Sequence, residues 1–283
     1  MKTYTAVPFS PEKYRLGESP FYDPRTGALS WVDILAGKLY ILSPDGRRRE
    51  VSFDGELGAA VPCEEPGSYI AAGEKGLYLV DGDGMSLLCD LSEHYGAFRR
   101  SNDAKADPAG RLFVGSSAMG DNPPGGALFC REGDSIRVMQ PDTKISNGMA
   151  WSRDRKHFYF SDSLFYAVFA YDYDLTSGDI SGRRVLFNVE GGVPDGMCID
   201  SEDGLWTAVW GGRRIEHRSS TDGSLLSVVE VPAEHVTSCC FMGEALDTLF
   251  ITTSGEGLDG EYDGCLFTCK VDSTGLLLDY AKR

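Results

Sequence analysis

Apolar positions along this chain come in short runs, about four to eight residues long, that stop at Gly, Asp, Asn, Ser or Pro. Segments such as "RLFVGS" and "HFYFSD" read as strands, because aromatic and β-branched residues suit a pleated, half-buried surface. No window sustains the i, i+3, i+4, i+7 spacing of an amphipathic helix, so helix is expected to be a minor component. Gly, Asp and Asn cluster between the runs, which is the turn chemistry that hairpins need.

The strand pattern repeats. "SNDAKADPAGRLFVGS" from Ser101, "SNGMAWSRDRKHFYFSD" from Ser146 and "PDGMCIDSEDGLWTAVW" from Pro194 can be laid over one another. Each runs through a polar residue, a short strand, an Asp- or Ser-led turn and a second strand with an aromatic. "GESPFYDPRTGALSWVD" from Gly17 fits the same frame, and "GAAVPCEEPGSYIAAG" from Gly58 and "TSCCFMGEALDTLFITT" from Thr237 fit it more weakly. The head residues are Glu18, Ala59, Asn102, Asn147, Asp195 and Ser238, at steps of 41, 43, 45, 48 and 43. A second hairpin is readable after each frame, from "GKLYILSPDG" in the first unit to "GCLFTCKVDSTG" in the last. Units of about 40–50 residues with four short strands are the signature of propeller blades. The expectation is therefore an all-β chain, a six-bladed β-propeller with four antiparallel strands per blade, forming one domain over residues 1–283. A two-sheet sandwich would not account for the period.

In a propeller the innermost strands run beside the central channel, so equivalent positions at its mouth converge. Glu18, Asn102, Asn147 and Asp195 would share one point, with Ala59 and Ser238 leaving room. Oxygen-bearing side chains gathered there without a cationic partner would repel or stay unsatisfied, and a bound divalent cation is the simplest remedy. Carboxylate and amide oxygens without His or Cys suit a hard ion such as Ca²⁺, Mg²⁺ or Mn²⁺. The competing reading makes Asn102 and Asn147 Asx-turn residues and Asp195 the turn former of Pro-Asp-Gly. Their coincidence in one repeat frame favours the cation.

Composition changes this picture mainly by exclusion. The 27 basic and 43 acidic residues give a formal charge of −16 with no offsetting Lys/Arg cluster, which argues against nucleic-acid and anionic-membrane partners. No apolar segment approaches membrane-spanning length and the N-terminus has no apolar signal region, so a cytoplasmic location is expected. The eight cysteines show no CxxC pairing and lie in strand-like stretches such as "GMCID" and "TSCCF", as buried reduced thiols would. There is no G-x-S-x-G elbow, and His94, His157, His217 and His235 sit in unrelated contexts; His157 and His217 read as turn or strand-surface residues. "GDNPPGG" from Gly120 lacks the Lys of a P-loop and reads as a capping loop, with Met119 and Asp121 as candidate substrate contacts. Arg100, two residues before Asn102, should lie on the same rim as Asn102, where paired N–H donors can hold a sugar hydroxyl or a carbonyl.

"RLGESP", "RSNDAKADPAGRLFVG", "ISNGMAWSRD", "YFSDSLFYAVFAYDYDLTSGDISGRR", "VPDGMCIDSEDGLWTAVWGG" and "VTSCCFMGEALDTLFITT" closely resemble the SMP-30/gluconolactonase family, also called the regucalcin family. The likeness runs from about Leu16 to Phe267. It implies a six-bladed propeller that hydrolyses aldono-1,4- or aldono-1,5-lactones to aldonic acids with one divalent cation, Ca²⁺ foremost and Zn²⁺, Mg²⁺, Mn²⁺ or Fe²⁺ as alternatives. The family's metal-binding Glu, Asn and Asp fall on Glu18, Asn147 and Asp195, and its substrate-binding Arg and Asn on Arg100 and Asn102. The resemblance thus moves Asn102 from the metal to the substrate. Asp195 is the expected proton acceptor for the attacking water, as a carboxylate beside the metal. The expected partner is a small sugar lactone, and the expected state a monomer or weak homodimer. The alternatives are a metal-dependent esterase or phosphotriesterase on the same propeller, and a calcium-binding regulatory protein without turnover.

Overall fold

Each first strand of the repeat is followed by a tight turn and an antiparallel partner, so the chain folds as a succession of meanders. The computed structural model describes residues 1–283 apart from Asp83, Ala97, Phe98 and Asp121. Four meanders are separate four-stranded sheets. The first comprises Gly17–Asp23, Ala28–Asp33, Lys38–Leu42 and Arg48–Ser52. The others begin with Leu57–Pro62, Arg99–Ala106 and Ser146–Trp151 and end with Gly84–Asp90, Ser135–Thr143 and Ile180–Asn188. The arrangement is an all-β propeller. Helix is confined, among the described residues, to Ser92–Tyr95 and a 3-10 turn at Ser163–Phe165.

Four blades stand as separate sheets where six were expected, and the remaining nine strands form one hydrogen-bonded sheet. Two meanders are merged in it. Val193–Ile199, Leu205–Trp210, Arg214–Arg218 and Leu225–Glu230 make one, and His235–Met242, Thr248–Ser254 and Leu266–Lys270 belong to the other. The strand pair Trp210 with His235 joins them, and there the indole stacks on the imidazole with ring centroids 4.0 Å apart. A second correction concerns "GCLFTCKVDSTG", which supplies one strand and no following hairpin. Its outer partner is Val7–Ser10 from the other end of the chain, so the two termini are stitched into one sheet.

The first strands of the meanders pack one against the next, and Gly17–Asp23 packs against His235–Met242, which closes a ring. Apolar faces fill the space between neighbouring sheets; Phe113, Trp151 and Phe158 meet there with ring centroids 4.9–5.4 Å apart. The cysteines are free thiols, all buried except the half-buried Cys89. His217 departs from its expected surface place. Trp206 stacks on it at 4.1 Å, its Nε2 lies 3.0 Å from Asp200 Oδ2 and its Nδ1 3.1 Å from Ser227 Oγ.

Every first strand breaks register at or beside its frame head. The breaks fall between Glu18 and Phe21, Leu57 and Ala59, Ser101 and Ala104, Ser146 and Met149, Pro194 and Met197, and Val236 and Ser238. A bulge of this kind kinks a strand and re-aims the side chain it carries. Where the kinked strands converge there is no room for a Cβ: one added at Gly148 would lie 2.6 Å from Met197 N and 2.7 Å from Asp195 O. Those neighbours are backbone and cannot rotate away. Gly148→Ala is therefore expected to lower stability by about 1–3 kcal/mol, as overpacking does; an unchanged urea midpoint would contradict the close approach.

Candidate functional site

The bulges bring the expected residues to one place. Glu18, Arg100, Asn102, Asn147 and Asp195 all line a cleft of about 680 Å³ at the N-terminal ends of the first strands, together with Glu56, Ser163, Trp210 and Glu256. The opposite end of the ring is spanned by the C-terminal tail. Leu276 N donates to Ile199 O, Ala281 N to Pro62 O and Lys282 N to Gly110 O, so the tail crosses from the merged sheet to the second and third meanders.

A chain of hydrogen bonds fixes the polar wall. Asn147 Nδ2 donates to Ser163 Oγ at 2.8 Å, and Ser163 Oγ donates to Pro194 O at 2.8 Å. This sets the orientation of the Asn147 amide and leaves Oδ1 to accept from Asn102 Nδ2 at 3.0 Å. Asn102 also donates to Ser146 O at 2.9 Å, and its Oδ1 accepts from Arg100 Nη1 at 2.7 Å. Arg100 Nε in turn is paired with Glu56. Asn102 thus links the guanidinium to Asn147.

The carboxylates are the strained part of the site. Glu18 and Asp195 are only 5% and 6% exposed, and among the described residues no side chain donates a hydrogen bond to Asp195. Burial, reinforced by the charge on Asp103, pushes the Glu18 carboxyl up to about 8, although Lys105 and Arg100 pull the other way. Burial first, and then the charges on Glu18 and Asp103, hold Asp195 well above the ordinary carboxylate range. Two desolvated acids that repel each other, beside an amide oxygen, are chemically suited to an oxygen-seeking divalent cation. Among the described residues no group of three or more His, Cys, Asp and Glu side chains is spaced for a metal ion. A set of two carboxylates and one amide is not such a group.

Asp103 and Ser163 adjoin the candidate residues and were not singled out in the sequence: Ser163 lines the cleft, and Asp103 acts on Glu18 and Asp195 through its charge. Asp103 is buried and its carboxyl is raised by burial, with Lys105 opposing the shift. It follows Asn102 inside the bulge, so the register break itself could have marked it. Met119 lies beside Arg99 in a separate depression and does not line the cleft, whereas Gly120 does. Asp121 lies outside the described residues. The contacts from Ser227 through His217 to Asp200 have the composition of a hydrolase triad, but all three residues are absent from the cleft lining and Ser227 is buried. They brace the sheet.

A raised carboxyl makes the folded state the better proton binder. An unfolded Glu releases its proton near pH 4.3, and folded Glu18 holds it to about 8, so ion-free stability falls as pH rises between those values. In EDTA, Glu18→Gln is expected to match the wild-type Tm near pH 5 and to exceed it at pH 8. Excess divalent cation should raise the wild-type Tm at pH 8 and leave the variant much less affected. Parallel Tm curves for the two proteins across that range would contradict the assignment.

The chain is similar to known proteins over most of its length. Residues 16–255 match the SMP-30/gluconolactonase/LRE-like region. Regucalcin of Danio rerio is 37% identical over 256 residues, covering 88% of this chain and 86% of that protein. Human regucalcin is 35% identical over 264 residues, 89% of this chain and 87% of its own length. A luciferin-regenerating enzyme superposes with a TM-score of 0.93 at 29% identity over 99% of this chain and 100% of the other. The chain belongs to the SMP-30/gluconolactonase/LRE-like family.

Proposed function

We propose that the protein hydrolyses a sugar lactone, an aldono-1,4- or aldono-1,5-lactone, to its aldonic acid with the help of one divalent cation. The observation that carries this reading is the pair of buried, mutually repelling carboxylates, Glu18 and Asp195, beside Asn147 in a cleft whose polar wall holds Arg100 and Asn102. Glu18, Asn147 and Asp195 are the proposed ligands, and their all-oxygen chemistry makes Ca²⁺ the first candidate. A cation there would act as a Lewis acid on the lactone carbonyl. The ring of first strands further supports treating the merged sheet as two blades, six around one axis in a single domain.

Asp195 accepts a proton from the attacking water as the water oxygen bonds to the carbonyl carbon. It returns that proton to the ring oxygen as the acyl–oxygen bond breaks, which releases the open acid. Burial raises the proton affinity of the ion-free Asp195 carboxyl, and a cation bound beside it would lower that affinity again. Arg100 and Asn102 orient the ring hydroxyls. The bond between Asn102 and Asn147 keeps substrate-facing and ligand groups in one register.

Gluconolactone and related aldonolactones are the assay substrates, with EDTA and then with single ions restored. Chelation is expected to abolish turnover and a divalent ion to restore it. Asp195→Ala should cost roughly 10²–10⁴-fold in kcat. Asn102→Ala should raise KM with the cation retained, while Asn147→Ala should lose the cation. Full turnover in EDTA, or by a folded Asp195→Ala protein, would overturn the mechanism. Calcium binding without lactone turnover would favour a regulatory protein, and turnover of phosphotriesters alone would favour the esterase alternative.

A further inference from the structure

The cleft holds one positive side chain, and it is already engaged. Among the described residues that line the cleft, Arg100 is the sole base, against Glu18, Glu56, Asp195 and Glu256. Glu56 stands just ahead of the first strand Leu57–Pro62, in the repeat unit whose frame head is the small Ala59. Its Oε2 accepts from Arg100 Nε of the neighbouring blade. Arg100 Nη1 is used on Asn102 Oδ1 at 2.7 Å and on Ser101 O at 2.8 Å. Nη2 is the nitrogen left without a protein partner among the described residues. Side-chain exposures of 9% for Arg100 and 24% for Glu56 place the pair in a wall where charge is only partly screened by water.

A ligand that meets this guanidinium therefore meets a neutralised one. A hydroxyl can accept from Nη2 without disturbing the pair. A carboxylate would have to displace Glu56 or sit beside it, where two like charges repel. No second positive side chain compensates among the described lining residues, since the others are acidic, neutral like Ser117, or apolar like Ile145 and Val193. Four acids against one base leave the lining negative even with a divalent cation counted.

We infer, resting on the lactonase reading, that Glu56 determines substrate charge: it holds Arg100 as a hydrogen-bond donor for uncharged polyhydroxy lactones and turns away lactones that carry a carboxylate. Glu56 acts through Arg100 and is a positioning residue.

The test is calorimetric binding of two non-hydrolysable lactams of one ring size, an uncharged aldonolactam and its carboxylate-bearing aldarolactam. Both are titrated into wild type and Glu56→Gln, each loaded with Ca²⁺ and again in EDTA, and the matching lactones are assayed for hydrolysis. Wild type should bind the uncharged lactam at least tenfold more tightly. Glu56→Gln should narrow that ratio about tenfold by gaining affinity for the anion, an effect that general loosening of the wall would not produce. Equal wild-type affinities, binding of neither lactam, or an unchanged ratio in Glu56→Gln would overturn the inference, and the first two hold whether or not the variant folds. Selective lactam binding without hydrolysis of either lactone would overturn the lactonase reading and leave the charge selection standing. Hydrolysis of both lactones with equal kcat/KM and equal lactam affinities would do the reverse.

Discussion

The register break at the head of each first strand is the constraint from which the site follows. A regular strand alternates its side chains between two faces, so no single residue can be aimed at the axis while its neighbours pack into the sheets on either side. The bulge relaxes that alternation for one or two residues. In four of the six strands it delivers Glu18, Asn102, Asn147 and Asp195 to the mouth of the ring. It also brings neighbouring strands close, which is why glycine follows Asn147 and Asp195: a Cβ at Gly196 would fall 2.5 Å from Ser238 Cβ and 3.0 Å from its Cα.

That convergence has an electrostatic cost. Glu18, Asp103 and Asp195 are buried within each other's field, and burial raises the proton affinity of all three. A fold selected for stability alone would not gather them. The surrounding polar groups limit the damage in specific ways. Lys105, whose Nζ donates to Met197 O at 2.7 Å, draws Glu18 and Asp103 back toward ionisation, and Ser163 fixes the Asn147 amide. On the rim, Glu56 pairs with Arg100, the one basic side chain among the described residues that line the cleft. On the proposed reading, the site would receive a cation at its base and an uncharged, hydroxyl-rich ring above it.

Much of this was legible in the sequence because a bulge leaves a local trace: a polar residue beside glycine at the head of an apolar run, repeated at a near-constant step. That trace marked Asn147 with Gly148 and Asp195 with Gly196, and through them the frame that located Glu18 and Asn102. Contacts set by the reach of a side chain leave no such trace. Glu56 is paired with Arg100 of the next blade and Ser163 with Asn147 of its own, and neither Glu56 nor Ser163 stands at a frame head. The merged sheet was equally hidden, since it depends on the strand pair Trp210 with His235 and on Val7–Ser10 returning to the last meander. His217 looked like a surface residue because its neighbours Arg214 and Arg218 are charged; Trp206 and Asp200, which enclose it, lie on other segments.

The central claim is that bulged first strands from three blades converge on one cation. Anomalous scattering from Mn²⁺ soaked into crystals of the intact protein tests it most directly, because the ion is located without reference to turnover. The account predicts one strong peak within coordination distance of carboxylate oxygens of Glu18 and Asp195 and of Asn147 Oδ1. A peak elsewhere, or a cleft that stays free of the ion at concentrations that saturate binding in solution, would contradict it.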